Sequence, residues 1–377
     1  MTTMFATLIA HPALAAPAEK MMTVLFGTYG RDGKEGVYAA DFDPETGELQ
    51  KPRRVCQLAN PGFLAFSPRQ DFVYATGRGA PGTDLAAGRI AALAVDRKSG
   101  QLRLLNEVAT QGGGPCHVAV HPTGRFAAVA NYGTGSVEVF SLAEDGSIER
   151  QTAFVQHEGS SVDPERQKEP HAHSINFTPD GAYAFAADLG LDKVLVYRFD
   201  LNDGALRPAD PSFASTPPGA GPRHLAFHPD GDEAYVVNEM GASVTSLQWN
   251  SSEGRLAALG TVEALPKGFE GQRWSAEIVV HPSARFIFCS HRGHNVVATL
   301  SLAKGGDLKF VSEASSGGEW PRNFGMDPTG RWILAANQNS GNVAVLAIDQ
   351  NTGELTPTNI SVEVPEPVCV RFLNPGF

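Results

Sequence analysis

Two arginines in matched contexts, Arg223 in GPRH and Arg322 in WPRN, each open an apolar run of this chain. A guanidinium in such a place needs an anion, either a ligand or an internal carboxylate such as Glu239. His171 and His173 in HAHS stand two residues apart, so on a strand they face one side and could ligate a metal. No carboxylate or cysteine at suitable spacing completes a ligand set, so neither metal nor cofactor is expected. Arg292 in SHRG, His117 and His224 complete a group that combines anion binding, carbonyl polarisation and a proton acceptor active near neutral pH. Asn131, Asp188, Asn238 and Asn337 end strand-like segments; such side chains cap turns through backbone hydrogen bonds or contact a bound substrate.

These residues fall on a repeat of about fifty residues. A hydrophobic-x-Pro-x-Gly type of turn recurs at Pro68, Pro122, Pro179, Pro229, Pro282 and Pro328. Each is preceded by one apolar strand and followed by two more and a Gly-containing turn, after which a fourth strand completes a four-stranded antiparallel unit. That pattern predicts an all-β fold, a seven-bladed β-propeller. The count reaches seven because residues 23 to 50 supply only later strands, while PVCVRFLNP near the C-terminus supplies a missing first strand. Pairing of N- and C-terminal strands then closes the ring and removes exposed sheet edges.

Aligned on the turn prolines, one position at the start of strand one reads Gly62, Cys116, His173, Arg223, Ala276, Arg322 and Cys369. The next reads Phe63, His117, Ser174, His224, Glu277, Asn323 and Val370. The ends of strand two put Asn131, Asp188, Asn238, Glu239, Arg292 and Asn337 on the same face of the disc. Residues that differ from blade to blade on a repeated frame are what one asymmetric site requires. The opposite face carries turn chemistry, and His121, His228 and His281 beside its prolines read as structural. Residues 157–170, HEGSSVDPERQKEP, form a long polar loop on the site face and serve either as solvated connector or as substrate lid.

A net charge of −11 argues against nucleic acid and anionic membrane as partners. The four cysteines, Cys56, Cys116, Cys289 and Cys369, are widely spaced and read as buried thiols. Residues 1–21 form a leader, disordered or weakly signal-like, ahead of a single domain over 22–377. No run of apolar residues is long enough to span a membrane. The chain is expected to act as a monomer or weak homo-oligomer in the cytoplasm, or outside it if the leader directs export.

The segments GPRHLAFHPDG, HAHSINFTPDG, CSHRGHNVV and WPRNFGMDPTGRWILAANQNSGNV resemble the seven-bladed propeller lactonases of the cycloisomerase-2 type, over nearly the whole chain after residue 22. The resemblance implies hydrolysis of a small anionic lactone, 6-phospho-glucono-1,5-lactone, to 6-phosphogluconate. A related propeller enzyme interconverts 3-carboxy-cis,cis-muconate and its lactone, and a non-catalytic binding scaffold is a third reading. By motif, the catalytic positions are His173, Arg223, Glu239 and Arg292. Arg223 and Arg292, with Arg322 as a further candidate, are expected to hold the substrate's phosphate and polarise its ester carbonyl. His173 is the expected base because an unperturbed imidazole titrates near neutrality, with Glu239 orienting arginine or water.

Overall fold

A computed structural model describes residues 21–377 apart from 31–32, 80–86, 98, 304 and 375–377. Except for Met21, the expected leader lies outside the described residues. Seven four-stranded antiparallel sheets are arranged as the repeat predicts. Their innermost strands are Phe63–Phe66, Pro115–Val120, Ala172–Phe177, Pro222–Phe227, Ser275–Val280, Pro321–Met326 and Pro367–Leu373. We number the blades first to seventh in that order. Each innermost strand touches the next, and the seventh touches the first, so the ring is closed around a channel.

The seventh blade joins both chain ends. Strand Pro367–Leu373 pairs antiparallel with Met22–Thr28, in register from Thr23 opposite Leu373 to Gly27 opposite Cys369. This completes the seventh blade and closes the ring.

Alternation explains why the second strands are apolar throughout rather than half polar. In Tyr183–Asp188, Ala184 and Ala186 pack toward the second blade, whereas Phe185 and Ala187 pack toward the fourth. In Glu233–Asn238, Ala234 and Val236 go one way and Tyr235 and Val237 the other. Successive side chains of a strand point to opposite faces, and here both faces meet a neighbouring blade. The outermost strands have no such neighbour at their rim, and Leu355–Glu363 accordingly alternates between exposed and partly buried residues.

The turn face behaves as the sequence suggests. Gly124, Gly181, Gly231 and Gly330 take positive φ, and Gln70 and Ala284 adopt the same conformation in the two turns that lack glycine. Two histidines there join adjacent blades. His121 Nε2 bonds the Gly181 carbonyl at 3.0 Å and His281 Nε2 bonds the Gly330 carbonyl at 3.0 Å. A Cβ at Gly181 would lie 2.3 Å from His121 Nε2, so the close approach itself needs glycine. His228 differs: it caps its own turn through Asp230 N and is partly exposed. Replacing His121 by Ala should therefore lower stability by about 1–3 kcal/mol, while His228→Ala should change it by less than about 0.5 kcal/mol. Equilibrium urea unfolding of the two variants measures this, and equal midpoints would contradict the blade-bridging role.

Candidate active site

The channel mouth gets its side chains from a repeated irregularity. At the start of the innermost strand the pairing with strand two skips Cys116 in the second blade, His173 in the third and Arg322 in the sixth. The fourth and fifth blades show the same shift across Arg223–His224 and Ala276–Glu277. A bulge frees a residue from the ladder and re-aims its side chain. In those five blades the column of unlike residues in the sequence is thus a column of bulged positions.

Glu239 stands at the centre of what these positions build. It follows strand Glu233–Asn238 directly, and its backbone N–H donates to the Gly221 carbonyl. Its Oε2 lies 2.6 Å from Arg292 Nη2 and 3.1 Å from Arg223 Nε, and its Oε1 accepts from Arg166 Nη2 at 2.9 Å. Burial opposes ionisation, but Arg292 and Arg223, then Arg166, overcome it and hold the carboxyl at about 2. Arg223 is buried at 2% exposure, and desolvation together with Arg292 and Arg322 lowers its guanidinium to about 9.

Arg223 is fixed from a second side. Its Nη1 meets His224 Nε2 at 3.2 Å and the Ala276 carbonyl. An arginine can only donate, so His224 Nε2 is the acceptor and Nδ1 carries the proton, which it gives to Glu277 Oε1 at 3.0 Å. Burial and Arg223 hold His224 down to about 4. Asn323 donates to Glu277 and accepts from the Val370 N–H, tying this chain of contacts to the closing strand.

His173 is buried, with Nε2 3.8 Å from Glu239 Oε2 and Nδ1 3.7 Å from Cys116 Sγ. Desolvation first, then Arg223, His224 and Arg322, push its pKa well below 6.5. The expectation of an unperturbed imidazole therefore fails, because the sequence shows the residue but not the cations around it. His173 is neutral at pH 7. Cys116 is no thiolate, since burial raises it to about 11.

The remaining sequence candidates separate clearly. His171 stacks on Tyr132 with ring centroids 4.6 Å apart, and its Nδ1 bonds the Tyr132 carbonyl at the rim of the group. His117 and His224 instead line, with Phe63, Glu277 and Arg371, a cavity of about 330 Å³ in the channel. Arg322 reaches the mouth beside Tyr29. The strand-end residues Asn131, Asp188, Asn238 and Asn337 are fully buried and hydrogen-bonded within the protein. Asn131 Nδ2 donates to Ser136 and Glu138, Asn238 Nδ2 to Ser243 and Thr245, and Asn337 Nδ2 to the Ser316 carbonyl. Asp188 accepts from His157 Nδ1 at 2.6 Å and from the backbone of His171 and Gly190. Cys56 is half-buried rather than buried, unlike the other three cysteines.

Arg166 was not among the sequence candidates, although the loop that carries it was. Residues 157–170 are pinned from several sides. Gln167 is fully buried and donates to the Leu189 carbonyl, Ser161 Oγ donates to Asp192, and Asp163 accepts the N–H groups of Glu165 and Arg166. The loop is neither a free connector nor an unattached lid, since it delivers Arg166 to Glu239 and to the Tyr132 hydroxyl at 3.0 Å. Trp320 also joins the mouth, with its ring 5.6 Å from the Arg292 guanidinium.

With this geometry in view, the comparisons are decisive at family level. The model of the family "Lactonase, 7-bladed beta-propeller" matches residues 23–372. This chain belongs to that lactonase family. It is 38% identical over 350 residues to the 6-phosphogluconolactonase of Bacillus subtilis, covering 92% of this chain and 97% of that one. It is 33% identical to the 6-phosphogluconolactonase of Formosa agariphila over 85% of this chain and 90% of that one. Among solved structures, the periplasmic gluconolactonase of Pseudomonas aeruginosa superposes with a TM-score of 0.88 at 36% identity, covering 95% of this chain and all of that one.

Glu239→Ala would leave those arginines uncompensated, and breaking a buried pair of this kind costs about 3–5 kcal/mol. The contribution of Glu239 is complete above its ordinary pKa of 4.5 and fades as pH falls toward about 2. In urea unfolding at pH 7 the variant should lose about that much stability and regain part of it in phosphate buffer. An unchanged midpoint would mean that Glu239 does not hold the arginines.

Proposed function

We propose that this protein hydrolyses 6-phospho-glucono-1,5-lactone to 6-phosphogluconate. The observation that carries the reading is the channel mouth, where Arg166, Arg223 and Arg292 surround one ionised carboxylate beside a neutral imidazole. The two relatives named 6-phosphogluconolactonase support the same substrate. A phosphorylated sugar lactone suits the cytoplasm, although the Pseudomonas relative is titled periplasmic. Among the described residues no helix is long and apolar enough to cross a membrane.

In this reading Arg223 and Arg292 polarise the C1 carbonyl and stabilise the oxyanion formed when water adds to C1. His173, held neutral by its surroundings, takes the water proton through Nε2. It returns that proton to the ring oxygen as the C1–O bond breaks, giving the free hydroxyl and a carboxylic acid, which loses its own proton to solvent and leaves a carboxylate that the arginines hold. Glu239 keeps the guanidinium groups in place and orients the water; three cationic partners make it too weak a base to serve otherwise.

The direct test is lactone loss above spontaneous hydrolysis for the wild type and for Arg223→Ala. We expect acceleration by the wild type and a loss of about 100-fold or more in kcat/KM for the variant. Absence of any wild-type acceleration would overturn the reading and turn attention to muconate-type lactonisation or a binding scaffold. His173→Ala should lower kcat about 100-fold or more without unfolding the ring. Because the His173 pKa lies well below 6.5, the base form persists as pH falls through that value. The profile of kcat/KM should therefore show no descending limb centred at the ordinary histidine pKa, and should fall only in more acid solution. A limb near 6.5 that His173→Ala abolishes would contradict the proposed environment of the base.

A further inference from the structure

We infer that the wall of the channel mouth opposite Glu239 is a second anion subsite, formed by Arg78 and Arg322 on the ring of Tyr29, and that it takes the phosphomonoester of the substrate. This rests on the proposed lactone hydrolysis and assigns the arginines two separate duties.

The blade order makes the division. His173, Arg223, Glu239 and Arg292 belong to the third, fourth and fifth blades, whereas Arg322, Tyr29 and Arg78 come from the sixth, seventh and first, which are neighbours across the channel. The Arg78 guanidinium lies 5.6 Å from the Tyr29 ring centroid and that of Arg322 lies 5.7 Å from it. Such contacts hold a guanidinium by its face and leave its N–H edge free for an anion.

Charge balance separates the two walls as well. Arg166, Arg223 and Arg292 share the Glu239 carboxylate. Arg78 and Arg322 have no carboxylate within ion-pair distance among the described residues, and Arg78 Nε is buried without a hydrogen-bond partner. Two guanidinium groups in this state match a phosphomonoester, which carries about −1.5 to −2 charges at neutral pH and three acceptor oxygens. The corner belongs to the same mouth, since Arg322 acts electrostatically on His173, Arg223 and Arg292, and Arg78 acts on Cys116.

The platform is built in. Gly62 occupies the position that holds Cys116, His173, Arg223 and Arg322 in other blades, and a Cβ there would lie 2.6 Å from the Tyr29 hydroxyl. The missing side chain in the first blade is therefore the space that seats the tyrosine.

The experiment compares kcat/KM for 6-phospho-glucono-1,5-lactone and for glucono-1,5-lactone in the wild type and Arg78→Ala, alongside calorimetric binding of inorganic phosphate. The ratio of the two kcat/KM values should fall roughly ten- to hundredfold in the variant, chiefly through KM, and phosphate should bind at least about tenfold more weakly. An unchanged ratio together with unchanged phosphate binding would overturn the subsite while leaving the hydrolase reading intact. If the wild type accelerates neither lactone, the hydrolase reading fails and phosphate binding alone decides the subsite. Should Arg78→Ala fail to fold, Arg322→Gln is measured in the same way, with the same two outcomes.

Discussion

The chemistry of this molecule depends on one buried carboxylate. Glu239 is 4% exposed and touches three arginines, one from its own blade, one from the next and one from the loop over 157–170. Without it, two nearly dehydrated guanidinium groups would face each other in the channel. With it, they are held close enough to act on one carbonyl. The cations fix the ionisation of Glu239, and Glu239 fixes the position of the cations. Burial first, and then the positive field that remains, keep the imidazole of His173 unprotonated.

That cluster needs a rigid frame, because a guanidinium loses its value if it can swing toward water. Arg223 shows how the frame is supplied: Glu239 holds Nε, while His224 and the Ala276 carbonyl hold Nη1. Behind His224, Glu277 and Asn323 carry the contacts through the fifth and sixth blades to Val370 in the closing strand. The pairing that seals the ring and the geometry that orients Arg223 are thus parts of one network. Preorganised donors in a water-poor site are what stabilise developing oxyanions most strongly.

The architecture was legible in the sequence because its signals are local and repeated. Six turn prolines mark six blades, and the unmatched strands at the two chain ends account for the seventh. Within the site, His173, Arg223, Glu239 and Arg292 were legible for a related reason: they interrupt a repeated column with side chains that a purely structural repeat would not vary. Arg166 was not, because it lies in a loop outside the repeat, where no column exists to align it. Arg78 and Tyr29 stand where strand-two segments end, with nothing in their local pattern to set them apart, and the informative neighbour is an absent side chain at Gly62. Asn131, Asn238 and Asn337 shared a column with the site, but the first two turn back into their own hairpins and Asn337 bonds the Ser316 carbonyl, a difference of side-chain direction that spacing does not encode. The His173 pKa was misjudged for a physical reason too, since desolvation and cations are properties of the assembled mouth.

A chain with net charge −11 that gathers Arg78, Arg166, Arg223, Arg292 and Arg322 at one mouth has separated its charges deliberately in space. Acidic residues serve the rim: Asp43, Asp145, Asp200 and Asp349 are exposed or half-buried and cap turns of their own blades, bonds that lower their pKa. Within the mouth Glu239 offsets only part of the cationic charge. An anionic lactone is thus drawn toward an arginine-rich opening of an acidic body, in which low-dielectric walls focus the field. Hydrolysis converts a neutral ester into a carboxylate and so strengthens binding to the same arginines. Product departure then works against the field that favours substrate capture. Partial neutralisation by Glu239 serves both steps, because the full charge of five uncompensated arginines would hold a product that bears both a phosphate and a carboxylate more tightly.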